Sequence, residues 1–270
     1  SPRLRGDDKP RFNKSLLERT TTLAIDSAHE WRMYHCPMPD PKVLNAVTAV
    51  NPPLVYRPPP DAGLAILHVD DDLLIVDKPG GLLSVPGRGP DRHDSLATRV
   101  QHRYPDALIV HRLDMGTSGL LVMARNAAIH SALSRLFATR QVDKRYVAVA
   151  SGQLPAAEMT IALPLLADWP NRPRQIVDHR SGKPSLTRLR VLAYDAASDT
   201  SRLELLPETG RSHQLRVHLQ AIGHPLLGHE LYAPPAIAAR APRLLLHATV
   251  LAFHHPSTAT MLRVESPAPF

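Results

Sequence analysis

The run His111-Arg112-Leu113-Asp114-Met115-Gly116-Thr117-Ser118-Gly119 gathers a possible base, a guanidinium, a carboxylate and two hydroxyls into one short stretch. Apolar segments flank it, residues 107–110 before and 120–123 after, so it reads as a tight loop at the mouth of a sheet. Two readings stand at this point: a reactive loop, or a polar turn in which Arg112 and Asp114 pair with each other. A carboxylate such as Asp114 works as nucleophile or base only while ionised, so it needs a nearby cation to hold its pKa down. Arg211 and Arg216 fall on a predicted helix over residues 211–222, whose N-terminal end adds a dipole that favours anions. Tyr146, in Lys144-Arg145-Tyr146-Val147-Ala148, offers a ring with a polar tip that could pack under a nucleobase, or an ordinary half-buried strand aromatic.

Other chemistries find less support. Fifteen His invite a metal, but no His-Glu-x-x-His occurs, and His213 and His218 are five apart on the predicted helix. The single cysteine, Cys36, excludes an intramolecular disulfide and a Cys-based zinc site, and fits a reducing cytosol. No Gly-x-Ser-x-Gly elbow is present, and no Gly-x-x-x-x-Gly-Lys loop to cradle phosphates. Aromatics make up only 4% of the chain, which argues against broad base-stacking of the single-strand-binding kind. The formal charge of +7 is carried mostly by Arg, whose planar forks suit phosphates and base edges, so an anionic polymer is a natural partner. A plain solubility role for that charge stays open. No apolar run approaches the ~20 residues of a membrane span.

The elements that must position these groups follow from patterning. Residues 1–60 are rich in proline and polar residues, with Asn51-Pro52-Pro53 and Pro58-Pro59-Pro60 near the end, and read as a linker or disordered arm. Residues 16–28 could form a short helix, and translation from Met38 or Met33 is an alternative start. From residue 64 the pattern sharpens. Two apolar runs, 64–67 and 73–76, flank Asp70-Asp71-Asp72 as a hairpin, which Lys78-Pro79-Gly80-Gly81 ends. Ser84-Val85-Pro86-Gly87-Arg88-Gly89 is a loop with Arg88 at its tip, and residues 95–104 a short helix. Residues 120–125 are a strand, and Asn126 caps a helix to about Thr139. Residues 144–150 form a strand, 163–174 a proline-broken loop, and 185–194 with 202–206 a strand pair. Residues 244–253 and 261–264 close as strands. The expected class is α+β, with a mixed, largely antiparallel sheet, flanking helices and a central cleft.

Taken together, the motifs resemble the RluA-type RNA pseudouridine synthases. His111-Arg112-Leu113-Asp114-x-x-Thr117-Ser118-Gly119 looks like their catalytic motif, and Lys144-x-Tyr146-x-Ala148 like their tyrosine motif. The third motif is matched by Gly210-Arg211-Ser212-His213-Gln214-Leu215-Arg216-Val217-His218, running on to Gly223-His224-Pro225-Leu226-Leu227-Gly228. Asp77-Lys78-Pro79-Gly80-Gly81-Leu82 resembles the end of the opening strand, and Leu244-Leu245-Leu246-His247-Ala248 the closing one. The likeness covers residues 64–270. Within the family, Gly81-Leu82-Leu83-Ser84-Val85-Pro86-Gly87-Arg88, Asp168-Trp169-Pro170-Asn171-Arg172-Pro173 and Ala241-Pro242-Arg243-Leu244 resemble the RluA subgroup, which lacks an S4-type RNA-binding domain. Two positions depart from the pattern: Gly116, and His229, where the family often has Asp. Neither is expected to touch the chemistry.

The resemblance implies a pseudouridine synthase domain over residues 61–270. It implies uridine-to-pseudouridine isomerisation in a tRNA anticodon loop and a 23S rRNA hairpin, in the cytoplasm. No cofactor, metal or protein partner is required, and the chain would act as a monomer. Asp114 would be the nucleophile, attacking C1′ or C6, with Tyr146 packed on the base and helping to remove the C5 proton. Arg216 would pair with Asp114, and Arg112 would fill the gap left by a flipped uridine. His111, Arg88, Arg172, Arg211 and His213 complete the candidate RNA-binding set, with His111 equally open to a structural role. A synthase of large-subunit rRNA alone and a catalytically silent RNA-binding module are the competing readings.

Overall fold

The computed structural model describes residues 56–270. Most of the expected N-terminal arm, the short helix at 16–28 and the alternative starts at Met33 and Met38 lie outside the described residues. From Tyr56 the chain is held to the domain. The Tyr56 hydroxyl donates to the Asp94 carbonyl (2.9 Å) and accepts from the Leu83 N–H (3.1 Å), while Arg99 donates to the Pro59 carbonyl (2.6 Å).

The first hairpin pairs β1 (Ala65–Val69) with β2 (Leu73–Lys78). Asp70 closes it, its Oδ1 accepting the N–H groups of Asp72 and Leu73 at 2.8 Å each. After β2, α1 (Leu96–Arg103) starts at Ser95, whose hydroxyl and the Thr98 side chain form a reciprocal capping box. A short β3 (Leu108–Ile109) leads to the loop that carries Asp114, and then to β4 (Ser118–Ala124). Every residue of β4 is buried, because α1 covers one face and α2 (Ala127–Ala138) the other; that is why its sequence is a continuous apolar run rather than an alternating one. Asn126 caps α2 as expected, accepting from the Ile129 N–H at 2.9 Å.

The second half holds β5 (Asp143–Ser151), β6 (Glu158–Ala162), β7 (Leu165–Ala167), β8 (Gln175–Val177), β9 (Leu186–Asp195) and β10 (Thr200–Pro207). Then come α3 (Gln214–Ala221), the short α4 (Pro235–Ala238), β11 (Leu246–His254) and β12 (Met261–Glu265). The main sheet runs β1-β2-β4-β11-β5-β10-β9-β6, with β12 against β11 and β3 against β4. All its pairings are antiparallel except β4 with β11. The architecture is α+β, as expected.

Three details differ from the expectation. The proline-broken loop at 163–174 contains β7, which pairs with β8 as a separate two-stranded sheet, its turn closed by Asp168, Asn171 and Arg174 backbone hydrogen bonds. β6 was not anticipated. The helix expected from Arg211 begins only at Gln214, because His213 sits in the left-handed region (φ 55°) and the buried Gln214 side chain accepts from the Thr209 hydroxyl (2.7 Å) and the Arg211 N–H (3.1 Å). Arg211 therefore lies in the turn ahead of α3, not on it.

The centre of the sheet is a fork. Along one edge of β4, Ser118 and Gly119 pair with β11 while Met123 and Ala124 pair with β3. Gly119 (φ 111°) permits the close approach, since a Cβ there would collide with the Ala248 backbone. Between the two pairings, the Val122 N–H donates to His111 Nε2 at 3.2 Å, and the His111 ring stacks on Phe137 with centroids 4.4 Å apart. A side chain thus fills the place of a missing strand partner.

Candidate active site

The N-terminal ends of β4 and β11 open onto a cleft lined by Arg112, Asp114, Lys144, Tyr146, Arg211 and His213, among others. The loop bearing Asp114 is fastened on both sides of the carboxylate. The Ser84 hydroxyl donates to the Leu113 carbonyl (2.7 Å) and accepts from the Leu113 N–H (3.1 Å). On the other side, the Met115 carbonyl accepts from the Gly81 N–H (2.8 Å) and from the Lys78 ammonium (3.1 Å). Lys78 is fully buried at the end of β2 and also donates to the carbonyls of Pro79 (2.9 Å) and Leu82 (2.7 Å). Burial drives its pKa down to about 7, against the pull of Asp114 and Asp77.

Arg216, on the first turn of α3, donates from a terminal nitrogen to Asp114 Oδ2 at 2.9 Å. His213 Nε2 lies 4.0 Å from Oδ1. Burial pushes the Asp114 carboxyl up, but the guanidinium, His213 and Lys78 outweigh it and hold the pKa below the usual carboxylate value. Asp114 is therefore ionised at neutral pH. Burial lowers His213 to about 4 despite Asp114, so that ring is neutral. Its Nδ1 meets the Tyr232 hydroxyl at 2.7 Å, and that hydroxyl already accepts the Gln175 N–H at 2.7 Å. A neutral His213 has one donor and one acceptor nitrogen, so Nδ1 and the Tyr232 hydroxyl share a single proton between them. Tyr232, raised to about 12 chiefly by burial, stays protonated.

Tyr146 packs against the core of both halves of the sheet, on the face covered by α1 and α3. Burial, with the Asp114 charge added, pushes its hydroxyl far up, so the ring enters the site as a neutral phenol. On the other side of β11, Ser118 accepts from Arg243 at 2.9 Å and contacts His247 Nδ1 at 2.8 Å. His247 Nε2 reaches the Ser266 hydroxyl (3.1 Å), which donates to Asp77. This chain ties the parallel β4–β11 contact to β2 and to the segment after β12.

The structure brings Asp114, Tyr146, Arg216, Arg112, Arg211 and His213 together, with Arg112 and Arg211 exposed at the rim. It does not bring in His111, which is turned into the fork; burial, then Lys144, lowers its pKa to about 3. Arg88 is exposed on its loop, away from the lining. Arg172 stacks on the exposed Trp169, its guanidinium carbon 3.1 Å from the ring centroid, at the tip of the β7–β8 hairpin. Sequence reasoning gave no role to Tyr232, to Lys78 or Lys144, which it quoted only as motif members, or to His229, which it noted only as a departure. The last takes an N–H from Arg216 at 2.6 Å, so the expectation that this departure lies apart from the chemistry does not hold. A lysine closing the apolar run at 73–76 was the one available signal for Lys78.

Residues 72–221 match the profile of the RNA pseudouridylate synthase family. The chain is 50% identical over 215 residues to the dual-specificity RNA pseudouridine synthase RluA of Escherichia coli (strain K12), covering 80% of this chain and 98% of that protein. It is 47% identical over 220 residues to the protein of the same name from Vibrio vulnificus (strain CMCP6), covering 80% of this chain and 88% of that one. Among solved structures, human RNA pseudouridylate synthase domain containing 1 superposes with a TM-score of 0.66 at 32% identity, over 79% of this chain and 87% of that one.

Proposed function

The chain belongs to the RNA pseudouridylate synthase family, and from that premise we propose how it isomerises uridine in RNA and on which RNAs. It is an RNA pseudouridine synthase. The observation that carries the mechanism is the part-buried Asp114–Arg216 pair, 2.9 Å apart, in a cleft walled by a neutral tyrosine. A uridine inside a stem or stacked loop must leave its stack to reach that carboxylate, which costs a few kcal/mol. Arg112, exposed at the rim, fills the vacated place and offsets the cost by stacking and phosphate contact.

Asp114 attacks at C1′ or at C6 of the base. The N1–C1′ bond breaks, the uracil turns, a C5–C1′ bond forms, the C5 proton leaves and N1 gains one, so nothing is added to or taken from the nucleoside. Tyr146 packs on the turning base. Its hydroxyl is held neutral by burial, so a phenolate base is not at hand and the freed Asp114 carboxylate is the better acceptor of the C5 proton. Arg211 at the rim would offer a phosphate contact, and the exposed Arg88 and Trp169–Arg172 stack, outside the cleft lining, would offer further phosphate and base contacts to flanking RNA.

The substrates we propose are a uridine in a tRNA anticodon loop and one in a 23S rRNA hairpin. Support comes from the subgroup motifs and from relatives named dual-specificity at 47–50% identity. The enzyme would act as a single chain in the cytoplasm, where both RNAs are found. Mapping pseudouridine in tRNA and 23S rRNA from cells with and without the gene tests this reading. Loss at one site in each RNA is expected; loss in 23S rRNA alone would replace it with an rRNA-specific synthase, and loss in neither would overturn it.

A further inference from the structure

We propose that His229 is a positioning residue that holds Arg216 through a neutral acceptor, leaving the guanidinium charge undivided for Asp114. The side chain is 3% exposed, in the loop after α3. Three N–H groups converge on it: Arg216 Nε on ring Nε2 at 2.6 Å, and the backbone N–H groups of Leu231 and Tyr232 on ring Nδ1 at 3.1 and 3.2 Å. The Tyr232 ring stands edge-on to it, 5.0 Å between centroids. A neutral imidazole keeps one proton of its own; with Nε2 bare to accept from the charged donor, that proton sits on Nδ1, so the Leu231 and Tyr232 N–H groups face Nδ1 without a bond to it. The slot is thus lined by donors and suits an acceptor-only group, yet a neutral ring occupies it.

The electrostatic consequence follows directly. A carboxylate in this slot would claim part of the Arg216 charge and repel Asp114. A neutral acceptor fixes Arg216 Nε while leaving Asp114 as the one carboxylate bonded to that guanidinium among the described residues. The other groups facing the pair are His213, Lys78, Tyr146 and Tyr232 around Asp114, with His213 and Arg174 around His229. Burial and then Arg216 push His229 down to about 2, so its own titration stays out of the working pH range.

Glu and Gln reach about as far as ring Nε2 and differ from each other in charge, so His229→Glu and His229→Gln separate charge from fit. Two readouts apply: the pH dependence of kcat on an RNA stem-loop, and titration of the Asp114 carboxyl by carbon-13 NMR. For His229→Glu both acid midpoints should rise by roughly one pH unit, while His229→Gln keeps the wild-type midpoints. His229→Ala should lower kcat about tenfold with KM near wild type, because Arg216 loses its second anchor. Unchanged midpoints in His229→Glu, or equal shifts in Glu and Gln, would overturn the inference. It rests on Asp114 as the reacting carboxylate; if that assignment fails, the NMR titration still reports whether His229 sets the Asp114 charge. If His229→Ala does not fold, the Glu and Gln pair decides.

Discussion

Asp114 is enclosed by groups that each have a second commitment. Arg216 is shared with His229, His213 is shared with Tyr232, and the Lys78 ammonium spends its three donors on the carbonyls of Pro79, Leu82 and Met115. Such commitments fix the site before substrate arrives, so little reorganisation accompanies reaction. Lys78 gives a prediction with a definite sign. Its pKa is about 7 in the folded chain and near 10.4 when unfolded, so between those values the unfolded chain binds more protons and stability rises with pH. Lys78→Met should flatten that rise in thermal melts taken from pH 7 to 10. It should also lower kcat about tenfold, through a loosened Met115 carbonyl beside Asp114. An unchanged pH slope would show that Lys78 is not the group responsible. At this scale, Asp114, Tyr146 and Arg216 were legible because their spacing and order match a motif set. Lys78 and His229 were not, because their importance comes from what they touch across 37 and 13 residues of chain.

The fork between β4 and β11 is the element that delivers the loop. Its parallel contact spans only Ser118–His247 and Gly119–Ala248, and the Ser118–His247–Ser266–Asp77 chain binds it laterally. His111 completes the fork by serving the Val122 N–H, which assigns it to the sheet rather than to RNA. His111→Ala should cost about 2 kcal/mol in urea unfolding, from the orphaned N–H and the emptied space beside Phe137. RNA affinity of the folded variant should stay within about twofold. Full stability with weakened RNA binding would reverse the assignment. The longer elements were readable because each carries enough residues to show a period: the β1–β2 hairpin, the fully apolar β4, the Asn126-capped α2. β7 and β8 have three residues each, too few to show alternation, and the prolines between them read as a break. The start of α3 was misplaced because a buried Gln214 side chain, invisible to periodicity, ends the preceding turn.

The two halves of the sheet, β1-β2-β4 and β5-β10-β9-β6, meet at β11, and Tyr146 touches the cores of both. The cleft is the seam between them, which is why its residues come from the 111–119 loop, β5 and the 207–216 segment, far apart in sequence. A polymer laid across the seam would meet Arg112 and Arg211 at the rim, while one extruded nucleotide enters. The central claim is that Asp114 makes and breaks the bonds while the surrounding surface binds the RNA. Its most direct test compares wild type with Asp114→Asn on an anticodon stem-loop and a 23S rRNA hairpin, following both pseudouridine formation and binding. The account predicts that the variant binds both RNAs within severalfold of wild type and forms no pseudouridine. Pseudouridine formed by Asp114→Asn at a rate near that of wild type would contradict it.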